Sequence, residues 1–573
     1  MAVWRTKRWA PFFAVVAVFA LLLSACGGGT PAAKKTTQPT TTTPTANQPV
    51  NGGTFTFAET SDIVTLNPAF INDVPSADAA FFISAPLYDS DNKGNPIVSP
   101  ISLAAEPFQV QNGGTTYIVK LRSNLKWSDG QPLTADDVAW SANTIANPDI
   151  GSPLQSYFAQ IKDVKALDPT TVEFDLKQVY APFVANVLMS GWVMPKHLLG
   201  NVPVKELQKN PYGTDPAKTL SDGPWVWKTW VQKQYLEFDI NPNYWGTRPH
   251  IDKIVMKIYA DQNTAVQALL KGDVDMFTGI PIPSLPAVQA NKNITVINQP
   301  GPTWEYLGFN FKGSNFPNFG NQSPFAGEKT RQAIAYAIDR ETIVKQVIQG
   351  NAQVIDSPFL PTNWAYQQGA AVHYTYDPQK AKQLLAEDGW KPGPDGYLYK
   401  NGHRFEFTLQ YNTGNVRRQQ VATLIQQELK DVGIKVDLQA LDFSTWIPQW
   451  INVGKGQAIL LGWYGGLDPD NEQIFSSKYY PPNGQNWGWY TDKEIDQLWV
   501  QGWSTTDVSQ RKQIYAQIAQ KISTDLPYVF LWQLNVIGGY NKRVHWQPED
   551  APFQALPYAY FWHIQNWWVT PQS

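Results

Sequence analysis

Apolar and polar residues alternate along several short stretches of the chain. In residues 54–58, 116–121 and 171–176 the alternation has the period of a strand with one buried face. Residues 434–438 are predicted as a further strand in the second half of the chain. The pattern therefore predicts strands in both halves.

Between these strands, apolar residues recur at helical spacing. Thr134 is a suitable N-cap for a helix that begins at Ala135, and Asp377-Pro378 opens another helix that ends before Gly389. Residues 416–432 predict a longer helix with one apolar face. Strands and helices that alternate in this way predict an α/β architecture.

The first 25 residues predict a signal peptide. Three cations precede an apolar stretch, residues 10–23, that is too short to span a bilayer with ease. The step Leu23-Ser24-Ala25-Cys26 resembles the lipobox of bacterial lipoproteins, which implies cleavage before Cys26 and a lipid on its thiol. The alternative is a buried cysteine that ends a transmembrane anchor.

Composition narrows the class of protein further. Residues 26–50 are rich in Gly, Thr and Pro and predict a disordered tether. The roughly 520 residues that follow are too many for one hydrophobic core, so at least two lobes are expected. The formal net charge is −3 with acids and bases interspersed, which argues against nucleic acid as a partner.

Several motifs follow one another in the order of a known family. They are Leu125-Lys126-Trp127-Ser128-Asp129-Gly130, Asn241-Pro242-Asn243-Tyr244-Trp245, Gly272-Asp273-Val274-Asp275 and the stretch 331–340. The chain resembles the family 5 extracytoplasmic solute-binding proteins of bacterial ABC importers, which include dipeptide- and oligopeptide-binding proteins. The resemblance implies an α/β, periplasmic-binding-protein-like fold with two lobes and a ligand cleft between them.

The resemblance also implies a division of the chain. The expected parts are a signal peptide (1–25), a tether (26–50), lobe I (51–86, 189–303 and 531–573), a subdomain inserted in lobe I (87–188) and lobe II (304–530).

Two stretches are expected to line the cleft. In peptide-binding relatives the segment after the first strand pairs with the peptide backbone, and the matching positions here are Asn72, Asp73 and Val74. The alternative is a surface loop held by Pro68 and Pro75.

The second stretch departs from the family's pattern. Trp463, followed by Tyr464, matches an aromatic residue that packs over ligand in relatives. Peptide binders place an aspartate soon after it for the ligand's α-ammonium group, but Gly465-Gly466-Leu467 comes first here. Asp468 is the nearest acid and either takes that role or is only the turn residue before a proline.

The expected anchor for a ligand carboxylate is also missing. Residues 458–461 are apolar and Lys455 is the only cation close by in sequence. Because a buried ligand charge without a partner is costly, a neutral ligand such as an oligosaccharide is favoured at this point. The aromatic candidates for stacking on a ligand, each with core packing as its alternative, are Trp304, Tyr306, Trp446, Trp463, Tyr464, Trp487, Trp489 and Trp532.

The sequence therefore predicts a lipid-anchored substrate-binding protein of an ABC importer, on the outer face of the bacterial cytoplasmic membrane. Short peptides are the first predicted ligand class and neutral oligosaccharides are the second. A third interpretation is that the protein is a peptide sensor. The expected partners are permease subunits with separate ATPases, and the expected state is a monomer. The sequence has no Walker A loop, catalytic motif or metal-ligand spacing, so no cofactor, metal or enzymatic activity is expected.

Overall fold

The computed structural model describes residues 48–91, 94–552 and 560–571. The predicted signal peptide, Cys26 and the predicted tether up to residue 47 lie outside these residues. These described residues form one compact unit. Within the described ranges, none of the helices is both long and apolar enough to cross a membrane.

The strands of the described residues are numbered in chain order. They are β1 (Thr54–Glu59), β2 (Asp89–Ser90), β3 (Pro96–Ile97), β4 (Gln109–Gln111), β5 (Thr116–Lys120), β6 (Ile161–Asp168), β7 (Thr171–Leu176), β8 (Trp225–Val231), β9 (Tyr235–Ile240), β10 (Lys253–Ile258), β11 (Met276–Phe277), β12 (Ile294–Phe309), β13 (Ala352–Val354), β14 (Lys391–Pro392), β15 (Leu398–Lys400), β16 (His403–Arg404), β17 (Glu406–Asn412), β18 (Lys435–Leu441), β19 (Ala458–Tyr464), β20 (Tyr528–Asn541), β21 (Val544–His545) and β22 (Trp568–Val569).

The α-helices are numbered in the same way. They are α1 (Val74–Ala80), α2 (Ala135–Ala146), α3 (Gln155–Phe158), α4 (Lys196–Leu199), α5 (Gln262–Lys271), α6 (Leu285–Ala290), α7 (Glu328–Ala337), α8 (Arg340–Gln346), α9 (Pro378–Glu387), α10 (Val416–Asp431), α11 (Phe443–Gln449), α12 (Glu472–Phe475), α13 (Lys493–Ser504) and α14 (Val508–Asp525).

One mixed sheet of eleven described strands forms the centre of the fold. Its order is β18-β17-β19-β12-β20-β11-β1-β10-β9-β8, and β13 pairs with β20 outside this path. β1 runs parallel to β10, and β17 runs parallel to β18. The long strands β12 and β20 pair antiparallel in the middle, from Ile294 opposite Asn541 to Gly308 opposite Tyr528.

Buried apolar residues form separate groups on the two sides of this central pair. One group packs around β1, β8, β9 and β10 and includes Phe57 and Trp225. Another packs β12 and β17–β19 against α7 and α10 and includes Leu409 and Ile425. A four-stranded sheet, β4-β5-β7-β6, packs with α2 around a core of its own. The fold is therefore α/β, with two lobes joined by β12 and β20 and an additional small sheet.

Local sequence patterns predicted these elements well. β1, β5 and β7 lie at the three alternating stretches, although β5 ends one residue short of the predicted 121, and α2, α9 and α10 begin at the predicted residues, so these predictions are confirmed. The strand predicted at 434–438 is observed at Lys435–Leu441. The predicted lobe limits at 303/304 and 530/531 fall inside β12 and β20, and the exact limits stay predictions.

Asp275, which ends one of the motifs that resemble the family, ties β1 to the C-terminal strands. Its Oδ2 accepts hydrogen bonds from the amide and the hydroxyl of Thr56, at 2.8 Å and 2.9 Å. The same oxygen accepts from Arg543 Nη2 at 2.6 Å, and Arg543 also donates to the carbonyl of Thr54. Because Asp275 is only 1% exposed, water screens this ion pair poorly.

Asp275→Ala is expected to lower the free energy of unfolding by about 3 kcal/mol, because it leaves Arg543 without its counter-charge. A urea titration followed by tryptophan fluorescence measures the loss. Asp163→Ala is the matched control, since its pair with Lys165 at 3.9 Å is exposed and contributes less than about 1 kcal/mol. Equal losses in the two variants would contradict the role given to Asp275.

Candidate functional site

The two lobes contact each other through polar side chains. Asn72, which follows β1, donates to Asn452 Oδ1 at 3.1 Å and accepts a hydrogen bond from the side-chain amide of Gln485. Lys233, beside β9, pairs with Asp442 at the end of β18 at 3.3 Å. These contacts join the two lobes.

A cavity of about 450 Å³ lies between the lobes. One wall comes from the loop after β2 and from the segment after β7, and it includes Asn95, Ala185 and Met189. The opposite wall comes from the segment before α9 and from the residues after β19, including Thr362 and Gly466. The volume is in the range of pockets that enclose small ligands.

Backbone forms the wall of the cavity just after β19. The amide of Gly465 donates to the carbonyl of Pro302 at 2.9 Å. A Cβ atom at position 465 would lie 3.0 Å from Leu360 Cδ1, which is tighter than usual contact, so this close approach favours glycine. The next residue, Gly466, is exposed and brings no side chain to the wall.

Asp468 borders the cavity, but its carboxylate is already paired. Arg511 donates to both oxygens, at 2.7 Å and 2.8 Å, and also to the hydroxyl of Tyr515 at 2.6 Å. Asp468 Oδ1 accepts the amide of Asp470 at 3.1 Å, as in the turn expected before Pro469. The pair is neutral as a unit, and an amine-anchoring role for Asp468 stays a prediction.

Five of the aromatic candidates lie in the apolar core. Those fully buried are Trp304, Tyr306, Trp446, Trp487 and Trp532. Trp446 Nε1 donates to Gln410 Oε1 at 3.3 Å, and the ring of Tyr306 stacks on Tyr528 with 4.1 Å between centroids. Packing against protein accounts for these contacts, so ligand contact by the five residues stays a prediction.

Trp463 and Tyr464 are half-buried at the end of β19. Trp463 packs against the aromatic core of the second lobe. Tyr464 lies beside Asp78 and Tyr560 of the first lobe, where burial and the charge of Asp78 raise the pKa of its phenol. The end of β19 thus contacts both lobes.

The segment predicted to pair with a peptide, residues 72–74, leads into α1. Asp73 caps this helix, accepting the amide of Ser76 at 2.9 Å, and burial raises the pKa of Asp73 to about 6. Val74 is the first residue of the helix, and Asn72 is the residue whose side chain reaches the second lobe. Pairing of these three residues with a ligand backbone stays a prediction.

A charged cluster that the sequence analysis missed lies on β12. Glu305 is fully buried and accepts from Arg417 and Arg418, each at 2.8 Å. Burial alone would raise the pKa of Glu305, but the two arginines outweigh burial and lower the pKa to about 2. Two adjacent arginines in the first turn of α10, where the helix dipole disfavours cations, were the available signal.

Arg417 borders a second, smaller cavity of about 50 Å³. This cavity also has both lobes in its walls, with Gln262 and Ile280 from one side and Gln420 from the other. Since Glu305 neutralises only one of its two arginines, the cluster presents an excess positive charge beside this cavity.

Two more buried acids follow Asp468 where the second lobe meets the small sheet. Asp470 accepts from the hydroxyl of Tyr180 at 3.3 Å, and Glu472 lies 3.9 Å from Lys478. Burial, followed by repulsion from neighbouring carboxylates, raises the pKa of both acids. Even so, no group of three or more His, Cys, Asp or Glu in the described ranges is placed to hold a metal ion.

The chain is similar to known solute-binding proteins over most of its length. Residues 99–486 match the bacterial extracellular solute-binding proteins, family 5, middle region. The oligopeptide-binding protein AppA of Bacillus subtilis is 31% identical over 99% of both chains. Its solved structure in complex with a nonapeptide has a TM-score of 0.84 at 32% identity and covers 91% of this chain and 100% of that one. The glutathione-binding protein GsiB of Escherichia coli (strain K12) is 28% identical over 86% of this chain and 92% of its own. These matches confirm the predicted fold class.

Glu305→Gln is expected to destabilise the protein by about 3 kcal/mol at neutral pH, because it leaves the buried Arg418 and the partly exposed Arg417 without their counter-charge. The folded-state pKa of about 2 lies below the ordinary 4.5, so this stabilisation is full above pH 4.5 and is lost as the pH falls towards 2. Urea titrations at about pH 7 and about pH 3 should show a gap between wild type and variant that shrinks in acid.

The control for this titration is Glu406→Gln. Glu406 pairs with Arg404 near the surface, so its substitution should change the free energy of unfolding little at either pH. A gap for Glu305→Gln that stays constant between the two pH values would contradict the depressed pKa.

Proposed function

The chain belongs to the family 5 bacterial extracellular solute-binding proteins, and we propose that it captures short peptides between its lobes and delivers them to the permease of an ABC importer. The cavity of about 450 Å³, walled by both lobes, is the observation that carries the proposal. The full-length match to an oligopeptide-binding protein supports peptides as the first ligand class. Binding without catalysis is the proposed role, because the family is one of solute-binding proteins.

In this proposal the lobes close over the solute. Residues 304–530 move as lobe II against the rest of the folded chain, and β12 and β20 act as the hinge. Asn72, which reaches Asn452 and Gln485, forms part of the closed contact. Closure removes apolar surface from water, which contributes roughly 25 cal/mol per Å², and gives the permease a shape to recognise.

The larger cavity suits an uncharged part of a ligand. Met189 and Leu360 offer apolar contacts, and Asn95 and Thr362 offer neutral hydrogen-bonding groups. Asp468, the acid at this wall, is neutralised by its arginine partner. A charged ligand group buried here would lose its hydration without gaining an opposite charge.

The excess positive charge beside the smaller cavity suits the carboxylate of a peptide. Arg417 has a quarter of its side chain exposed, while its partner Glu305 is fully buried. A planar guanidinium that still faces solvent can donate charge-assisted hydrogen bonds to a carboxylate. We therefore include Arg417 among the proposed ligand contacts.

Neutral oligosaccharides are the second candidate ligand class. The uncharged lining of the larger cavity favours them, and Trp364 adds an aromatic ring to that lining. The guanidinium of Arg511 lies 5.1 Å from the centre of this ring and helps to hold it in place. Aromatic faces and neutral polar groups are the surfaces on which sugar rings bind.

We also propose that the mature chain is attached to the outer face of the cytoplasmic membrane through a lipid on Cys26. The lipobox-like residues 23–26 and the Thr- and Pro-rich tether support this proposal. An extracytoplasmic location agrees with the family, whose members are extracellular solute-binding proteins. The proposed state is a monomer, and the proposed partners are permease subunits with separate ATPases.

A thermal-shift comparison of peptides and sugars tests the ligand class. Penta-alanine at about 100 times its dissociation constant is expected to stabilise the protein by about 2.7 kcal/mol and to raise its melting temperature. Maltopentaose at the same concentration is the comparison ligand. Stabilisation by the sugar alone would replace peptides with the second ligand class.

Ala185→Trp tests the cavity itself. The indole is expected to fill space at the wall and to weaken peptide binding by about tenfold or more, as measured by calorimetry. Ala386→Trp, on an exposed position of α9, is the matched control and should leave affinity unchanged. Unchanged affinity in Ala185→Trp would place the ligand elsewhere.

Cys26→Ser tests the anchor. The serine variant is expected to lose its acyl chains, because the thiol is the group that carries them in lipoproteins, and to leave the membrane fraction. Fractionation and intact-mass measurement check both effects, with Thr41→Ser in the tether as control. A serine variant that kept its acyl mass would contradict the lipobox interpretation.

A further inference from the structure

Three carboxyl groups lie close together where the first lobe faces the second. Glu59 ends β1, Asp73 caps α1 and Asp78 lies within α1. In the described part of the chain, no lysine, arginine or histidine pairs with any of these three. By contrast, the buried acids Asp275 and Glu305 each pair with arginine. This acidic group, defined as Glu59, Asp73 and Asp78, therefore lacks a counter-charge.

The two oxygens of Asp78 have different surroundings. The residue is 9% exposed, and its Oδ1 accepts a hydrogen bond from the hydroxyl of Tyr560. Its Oδ2 is buried and has no N–H or hydroxyl donor among the described residues, so only a protonated Glu59 can share a hydrogen bond with Asp78. When both acids are ionised this hydrogen bond is lost, so a cationic donor at this point would then be favourable.

The groups that face Asp78 and Glu59 come from both lobes. Tyr560 approaches from the C-terminal segment and Tyr464 from the end of β19 in the second lobe. Asp73 adds negative charge from the start of α1, and Asp62 lies beyond it. Glu59 is half-buried as a residue, but its carboxyl group is buried among these side chains of both lobes, so a ligand group would reach it while the lobes are apart.

These surroundings favour the protonated forms of both acids. Burial raises the pKa of Glu59 to about 7. Burial and then the charge of Glu59 raise the pKa of Asp78 further. In the absence of a cation the pair therefore retains a proton near neutral pH, and a bound cation would displace it.

We propose that Glu59 and Asp78 form a binding site for a primary ammonium group of the ligand. This inference rests on the proposed function, to which it adds the cationic anchor that Gly465-Gly466-Leu467 does not provide. An ammonium group is a compact charge with three donors, so it can donate to Glu59, to Asp78 Oδ2 and to the hydroxyl of Tyr464. The α-ammonium of a peptide and the side chain of a lysine share this chemistry.

Calorimetric titration with matched peptides tests the site. The probes are penta-alanine with a free amino terminus, its N-acetylated form, and the acetylated form with lysine at its centre. Wild type is expected to bind the free peptide about tenfold more tightly than the acetylated one. Tighter binding of the lysine peptide alone, relative to the acetylated peptide, would support a site for a side-chain ammonium group. If neither the free amino terminus nor the lysine increases the affinity, the proposal is overturned.

Single substitutions of Asp78 and Glu59 test whether these two acids cause the preference for a free amino terminus. Asp78→Asn is expected to lose about tenfold in affinity for penta-alanine. Its affinity for the acetylated peptide is expected to stay within about twofold of wild type, and this retained binding also shows that the variant is folded. Glu59→Gln is a second, independent variant with the same expected result. An amine-specific loss in Asp468→Asn instead would return the anchor to the second lobe and overturn the proposal.

Asp222→Asn is the matched control. Asp222 is 2% exposed, accepts the amide of Ala85 at 3.1 Å, and has its pKa raised by burial to about 8. Its loss should not change the preference for a free amino terminus. An equal loss of preference in Asp222→Asn and Asp78→Asn would overturn the proposal, because it would show a general effect of removing a buried acid.

The pH dependence distinguishes the two sources of ammonium. The affinity for penta-alanine and for the lysine peptide should rise as the pH increases through about 7, because Glu59 then loses its proton. An α-ammonium loses its own proton near pH 8, so penta-alanine should bind best between these values, whereas the lysine peptide should keep its affinity to about pH 10. An amine preference that does not change between about pH 6 and about pH 8 would overturn the role of this pair.

A small amine that is not a peptide tests the ammonium site independently of peptide capture. If no peptide binds wild type, peptide capture fails, and the site is then judged with n-butylammonium against tetramethylammonium, which has no N–H donor. Thermal stabilisation of wild type by n-butylammonium only, absent in Asp78→Asn, would support the site. Equal responses to the two cations would overturn it.

Discussion

The antiparallel pairing of β12 with β20 is the constraint on which both lobes depend. Its hydrogen bonds begin in one lobe and end in the other, and a bulge between Pro300 and Trp304 shifts the register on the way. Because strand side chains alternate between faces, this register decides that Trp304 enters the aromatic core while Glu305 meets two arginines. A slip by one residue would bury the carboxylate among aromatic rings and place the indole beside the two arginines.

Charge neutralisation explains why the two sides of the cleft differ. In the second lobe, Asp468 and Glu305 are satisfied by arginines of their own lobe, so the wall after β19 presents backbone and neutral groups. In the first lobe, Glu59 and Asp78 have each other and tyrosine hydroxyls as neighbours. Glycine at position 466, where the family resemblance predicts an acid, is thus matched by an acidic group without a cationic partner on the opposite side.

The sequence allowed the elements to be predicted better than the site. Strand alternation and helix capping depend on neighbours in the chain, which is why β1, α2 and α10 were found close to their true ends. Trp304 and Trp446 could not be assigned in this way, because a strand or helix covered on both faces leaves no polar face to mark the cleft. The pairs that fix the electrostatics, such as Arg417 with Glu305, join residues 112 positions apart and leave no local pattern.

The distribution of charge also bears on the order of events during capture. Coulomb attraction acts over about a Debye length, roughly 8 Å at physiological salt, whereas apolar contacts act only at touching distance. In an open form the acidic group of the first lobe would be free of Tyr464 and in contact with water, so it would attract a cationic ligand before the lobes meet. If the proposals hold, closure would then bring Tyr464 over the bound ammonium and the neutral cavity wall over the rest of the ligand. Charge would therefore select the end of the ligand, and shape would select its middle, at two separate stages of one motion.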